Sequence, residues 1–196
     1  MDISELLNSS TGQSLIRSIS DKLGINEKEA SGVVSTAIPA ILAGMTKNAQ
    51  TAEGAESLNR AIESKHDGSL LDNLSNILQG QTQELQNDGD GILGHVFGSK
   101  RTAVEQTLSK KTGVSSGKIG PLLALLAPIV MAYLGKEKRK TSTGAGGLGD
   151  LLGGLLGSGS QGRSGGGIMD MISGTLDKDG DGDVIDDIFD MFSKKR

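Results

Sequence analysis

The chain has no cysteine and no tryptophan, one tyrosine, three phenylalanines and three prolines in 196 residues. Without thiols it can form no disulfide framework, no thiolate nucleophile and no cysteine-ligated zinc site. Without large aromatics the core has to be assembled from Leu, Ile, Val, Ala and Met, a palette that favours closely packed helices over a β-sandwich. Long apolar runs are scarce as well. The most apolar stretch, PLLALLAPIVMAYL from Pro121 to Leu134, falls short of the roughly 20 residues of a membrane span and contains Pro128. It reads as a core helix, and no membrane span is expected.

Catalytic signatures are also missing. His66 and His95 are the only histidines, neither stands in a metal-ligand spacing, and there is no nucleophile elbow, P-loop or H-E-x-x-H. His66 in SKHDGS reads as a loop residue, and His95 in ILGHVFG as a helix residue beside the core. No enzyme activity, catalytic residue or organic cofactor is expected. The opening residues MDISELLNSSTGQSLIRS do not have the basic stretch followed by a continuous apolar run that a secretory signal needs, so a cytoplasmic location is expected.

The net charge of −4 is unevenly placed. Residues 168–196 hold eight Asp against four Lys/Arg, and the 16 acids and 16 bases of residues 1–167 cancel. A neutral body lacks the electrostatic footprint of a nucleic-acid binder.

What the chain does have is glycine, 30 residues of it, and an internal repeat. The segment LIRSISDKLGINEKEASGVVSTAIPAILAGM (residues 15–45) aligns without a gap on VEQTLSKKTGVSSGKIGPLLALLAPIVMAYL (residues 104–134). Gly24 falls on Gly113, Ile25 on Val114, Pro39 on Pro128, Ile41 on Val130 and Met45 on Leu134, each 89 positions apart. Each copy reads as an amphipathic helix closed by a glycine in the left-handed conformation, a short turn, and a second, largely apolar helix. Asn26 with Glu29 has the spacing of a capping box, and Ser115 stands at the equivalent place. Pro39 and Pro128 are expected to kink or restart the second helices. Between the copies, Leu70, Leu71, Leu74, Ile77 and Leu78 recur at helical spacing, whereas DGDG at Asp88 to Gly91 reads as a turn.

The motifs LGINEKEA, IPAILAGMTKNA, GDGILGHVFG and TGVSSGKIGPLLALLAPIVMAYLG, in this order, resemble bacterial YidB-like proteins, the domain of unknown function 937 family. The resemblance covers roughly residues 1–138, implies an all-helical fold and implies no activity.

Residues 139–167 read as a Gly/Ser/Leu-rich flexible linker, since twelve of the 27 residues from Thr141 to Gly167 are glycine. Within it LGDLLGGLLG puts Leu148, Leu151, Leu152, Leu155 and Leu156 on one helical face. That face leaves two readings open, docking or self-association on one side and a sticky coil on the other. The basic run Lys136, Lys138, Arg139 and Lys140 reads as the polar end of a buried helix, complementing its dipole, more simply than as a phosphate patch.

Residues 168–196 form an acidic tail with the stretch LDKDGDGDVIDDIFDMF. Asp177, Asp179 and Asp181 at alternate positions, followed by Gly182, make the D-x-D-x-D-G start of a calcium loop, in which Asp183 would offer its backbone carbonyl. Calcium takes six to eight hard oxygen ligands, and alternating carboxylates on a tight bend converge on one point. The twelfth position is Ile188 instead of the usual Glu, so Asp187 or Asp186 would close the shell, as in shortened, dockerin-like loops.

The expected architecture is therefore all-α: a multi-helix bundle built from two related halves, then the linker and a short helix-loop-helix tail. The expected function is a non-enzymatic protein-interaction or scaffold domain that binds an unknown protein or itself, with a calcium-binding tail. The alternative is a DNA-binding helix-turn-helix, but SGVVSTAIPAILAGM in the recognition position carries no Arg or Lys to read a base.

Overall fold

The computed structural model describes residues 9–80, 82–141, 144 and 147–157. Among these residues the secondary structure is entirely helical: α1 (Ser10–Leu23), α2 (Glu27–Asn48), α3 (Ala52–Lys65), α4 (Ser69–Asp72), α5 (Leu74–Gly80), α6 (Thr82–Phe97), a 3₁₀ turn (Gly98–Lys100), α7 (Arg101–Thr112), α8 (Ser116–Thr141) and α9 (Leu148–Gly157).

Local chemistry sets the ends of the first two helices. The Ser9 hydroxyl accepts from the Gly12 amide at 3.1 Å and starts α1. Gly24, at φ 57°, ends it in the left-handed region, where a side chain would be strained. The next helix begins with the capping box read from the sequence: Glu29 N donates to Asn26 Oδ1 at 2.8 Å, and Asn26 N to Glu29 Oε2 at 2.9 Å. In the second hairpin Gly113, at φ 76°, closes α7 in the same way, and the Ser115 carbonyl accepts the first amides of α8 from Lys118 and Ile119.

The prolines do not break their helices. Neither α2 nor α8 restarts at its prolines: each is one continuous helix, with Pro39 exposed in the first and Pro121 and Pro128 within the second. A proline removes one bond to the carbonyl four residues back, but the rest of a long, packed helix can hold the segment helical.

The DGDG segment is likewise no turn, because it lies in the middle of α6. Leu85, Gly89, Leu93 and Phe97 are all buried at a strict four-residue spacing, and α6 packs mainly on α8, with Phe97 against Gly44 of α2. Each interior glycine weakens a helix by about 1 kcal/mol relative to alanine, yet burying one Leu or Phe returns about 1.5–3 kcal/mol. Gly89 is where the two helices touch backbone to backbone: a Cβ there would lie 1.7 Å from the Ala124 carbonyl oxygen. That carbonyl is also the one that Pro128 cannot bond.

The core centres on α8. It contacts α1, α2, α3, α4, α6, α7 and α9, and every residue from Leu122 to Gly135 is buried. At 26 residues the helix is longer than its apolar run implied, and by length and composition it could cross a membrane. In the fold, 83% of its most apolar window is instead covered by the other helices. The leucines between the repeats form α4 and α5, separated at Asn73.

Part of the span read as a flexible linker is helical. Leu148 and Leu152 of α9 are fully buried against α2, α3 and α8, so this stretch is not uniform coil. Burial of its leucine face offsets the helix-weakening effect of its glycines.

Candidate functional site

The densest polar cluster among the described residues lies where the end of α3 meets the last turns of α8. His66 caps α3, its amide donating to the Ile62 carbonyl at 3.1 Å. Its side chain is only 4% exposed. Its Nε2 stands 3.4 Å from Asp88 Oδ2 of α6, and its Nδ1 is buried without a hydrogen-bond partner. Burial disfavours the imidazolium and lowers the His66 pKa, opposed by the Asp88 carboxylate and reinforced by Lys65. Gly135 allows α8 to press on this loop, since a Cβ there would fall 2.0 Å from the His66 carbonyl oxygen.

Around this point every cation of the basic run on α8 has an acid of its own chain. Lys136 pairs with Asp72 at 3.6 Å, Lys138 with Glu63 at 2.5 Å, Arg139 with Asp67 at 3.3 Å and Lys140 with Glu137 at 2.6 Å. Lys138 is itself buried. Glu63 is held below the usual carboxylate range by the hydrogen bond and charge of Lys138. Asp67 is also lowered, first by the Ser69 amide, which donates to it at 3.0 Å, and then by the Ser69 hydroxyl and Arg139. The arrangement clamps the α3–α4 loop onto α8.

The other DGDG carboxylate, Asp90, accepts from Arg101 Nη2 at 2.6 Å, while Arg101 Nε donates to Glu105 at 2.8 Å. Among the described residues no group of three or more His, Asp or Glu could hold a metal ion. His95 is in α6 as expected but exposed, with Nδ1 2.9 Å from the Gly91 carbonyl. The proposed calcium ligands Asp177, Asp179, Asp181, Asp183 and Asp187, with Asp186, lie outside the described residues. Sequence reading did not find the His66–Asp88 pair. The two residues are 22 positions apart, His66 at the cap of α3 and Asp88 within α6, and no local spacing signals their approach.

Two further contacts tie the first hairpin to the rest of the body, one to α8 and one to α6. Lys118 Nζ donates to the Gly24 carbonyl at 2.8 Å, and Asn48 Nδ2 donates to the carbonyls of His95 and Val96 at 3.1 and 3.2 Å.

A family model described as a bacterial protein of unknown function, DUF937, matches residues 5–137. The chain belongs to the DUF937 family. Neither a curated protein nor a solved structure matches it. The DUF937 region takes in the clamp as far as Glu137, and α9 lies beyond it. The family description assigns no catalytic activity.

Proposed function

We propose that this DUF937 protein is a non-enzymatic interaction module of YidB-like type, working in the cytoplasm, built by internal duplication and carrying a calcium-binding tail. The observation that carries the interaction reading is the seat of α9: an amphipathic leucine helix lies against α2, α3 and α8, so the body has an apolar surface suited to receiving a helix. The duplication is supported by the matching glycine caps at Gly24 and Gly113 and by core residues that recur 89 positions apart.

Calcium binding is supported by the alternating carboxylates Asp177, Asp179 and Asp181 with Gly182; Asp183 and Asp187 or Asp186 complete the ligand set. So many carboxylates in one short loop repel one another until a cation binds. The DNA-binding alternative is disfavoured. Val33, Val34, Ala37, Ile38, Ile41 and Leu42 of the helix that would enter the groove are buried, and the cations at the end of α8 are already paired.

Calorimetry of the full chain with calcium tests the tail. Saturable heat in the micromolar to millimolar range, lost in the Asp179→Ala/Asp181→Ala variant and weaker with magnesium, is the expected outcome. Equal heats from both chains, or none from either, would remove calcium from the reading. Tight, salt-sensitive binding to a defined DNA duplex would overturn the ranking of the two functions.

A further inference from the structure

We propose that α9 is an exchangeable helix: the groove formed by α2, α3 and α8 accepts the α9 of a second copy of this chain, and the protein self-associates by reciprocal exchange. The proposal rests on the interaction-module reading and names the partner.

Three features of α9 carry it. Leu148 and Leu152 are fully buried, with Leu151 and Leu155 packed against the same core, so the helix fills a real apolar groove. The helix is also intrinsically weak for no steric reason. A Cβ at Gly149, Gly153 or Gly154 would meet nothing within 4 Å, so these glycines are not required for a close approach as Gly89 is. Three positions that could hold alanine instead lower the helix's own stability, which keeps the docked state easy to leave. Finally, α9 lies beyond the matched region of residues 5–137 and is joined to α8 through residues 142–147, so it can leave its seat without rearranging the helices that precede it in the chain.

A second copy is the occupant that the groove already fits. An α9 supplied in trans makes the same contacts as one supplied in cis, and the two states differ only in how the helix is connected. The connection favours the cis state through an effective concentration of roughly millimolar, so the exchanged form gains as chain concentration approaches that level. The bodies of the two copies do not repel, since the 16 acids and 16 bases of residues 1–167 balance and the net −4 lies in residues 168–196.

Sedimentation velocity on the full chain and its variants decides the matter. The unaltered chain should be monomeric at low micromolar concentration and gain dimer toward roughly millimolar concentration. Deleting residues 142–146 joins Thr141 to Gly147, blocks the return of α9 onto its own body and should lower the dimer dissociation constant at least tenfold. Adding Leu148→Asp and Leu152→Asp to the deletion should restore the monomer. So should an excess of a peptide spanning residues 147–157 with alanine at positions 149, 153 and 154. A deletion variant that stays monomeric throughout overturns the proposal, as does a dimer that survives the aspartates. If the aspartate variant loses its helical circular dichroism, the peptide decides: a dimer that it cannot dissociate also overturns exchange. Failure of exchange alone leaves the interaction reading to a different partner, whereas loss of that reading would appear as an α9 seat that binds no helix in cis or in trans.

Discussion

In the first hairpin Ser20 Oγ donates to the Ile25 carbonyl at 2.6 Å, and in the second Ser109 Oγ donates to the Val114 carbonyl, again at 2.6 Å and 89 residues later. The same offset relates buried pairs along both hairpins: Leu15 with Val104, Ile19 with Leu108, and Ile41 with Val130. The surroundings differ. Pro39 and Ser35 of α2 face outward, whereas Pro128 and Ala124 at the matching positions of α8 are buried beneath α6. One local pattern therefore serves two roles, an outer helix and a central one. The pattern supplies the inward face of each helix, and neighbours contributed by the rest of the chain decide whether the outer face is covered as well.

If the hairpins share one inward pattern, truncating matched core residues should cost about the same. Ile19→Ala and Leu108→Ala remove side chains with no exposure at equivalent positions, and each is expected to lose about 2–5 kcal/mol of unfolding free energy. Urea denaturation of the two variants checks this. A loss confined to one hairpin would break the equivalence.

The difference in cover is sharpened by glycine. Gly89→Ala forces a methyl into the Ala124 carbonyl and should destabilise by about 1–3 kcal/mol. Gly32→Ala on the open face of α2 meets nothing within 4 Å and should stabilise by about 0.5–1 kcal/mol. Opposite signs in thermal melts are the expected result; equal signs would mean that the two helices are equally enclosed.

A smaller effect belongs to the turn. Ser20→Ala and Ser109→Ala each remove one hydroxyl-to-carbonyl bond and are expected to cost about 0.5–1.5 kcal/mol apiece. Chemical denaturation giving a loss at one serine only would show that the turns are alike in shape but not in energy.

The smallest expected effect is pH dependence at His66, a group on the α8 side with no counterpart in the first hairpin. Its folded pKa is lowered by burial, so the unfolded chain binds more protons as pH falls through the ordinary histidine range of about 6.5. The His66 contribution is therefore present above that range and declines below it. Stability measured from pH 8 to pH 5 should fall, and His66→Gln should flatten that part of the curve. An unchanged slope would show that the imidazole does not titrate with unfolding.

Helical class, the glycine caps, the Asn26–Glu29 box and the inward faces of both hairpins were legible in the chain, because each depends on residues within a few positions of one another. The three-dimensional fate of glycine was not. Gly24 and Gly113 announce turns through their sequence setting, but Gly89, in a run that resembles a turn, is a helix crossing, since its meaning lies in Ala124 on another helix. The polar clamp was hidden for the same reason. The run from Lys136 to Lys140 looks alike whether its charges face water or acids, and only folding brings Asp72, Glu63 and Asp67 within reach of Lys136, Lys138 and Arg139. By itself, then, the sequence determined periodicity, capping and the paired hairpin pattern, all of which act through short-range sterics and hydrogen bonds. Tertiary structure decided that α8 is enclosed while α2 keeps an open face, that His66 is buried beside Asp88, and that a glycine-rich leucine segment becomes helix α9, because each outcome depends on surface supplied by distant parts of the chain.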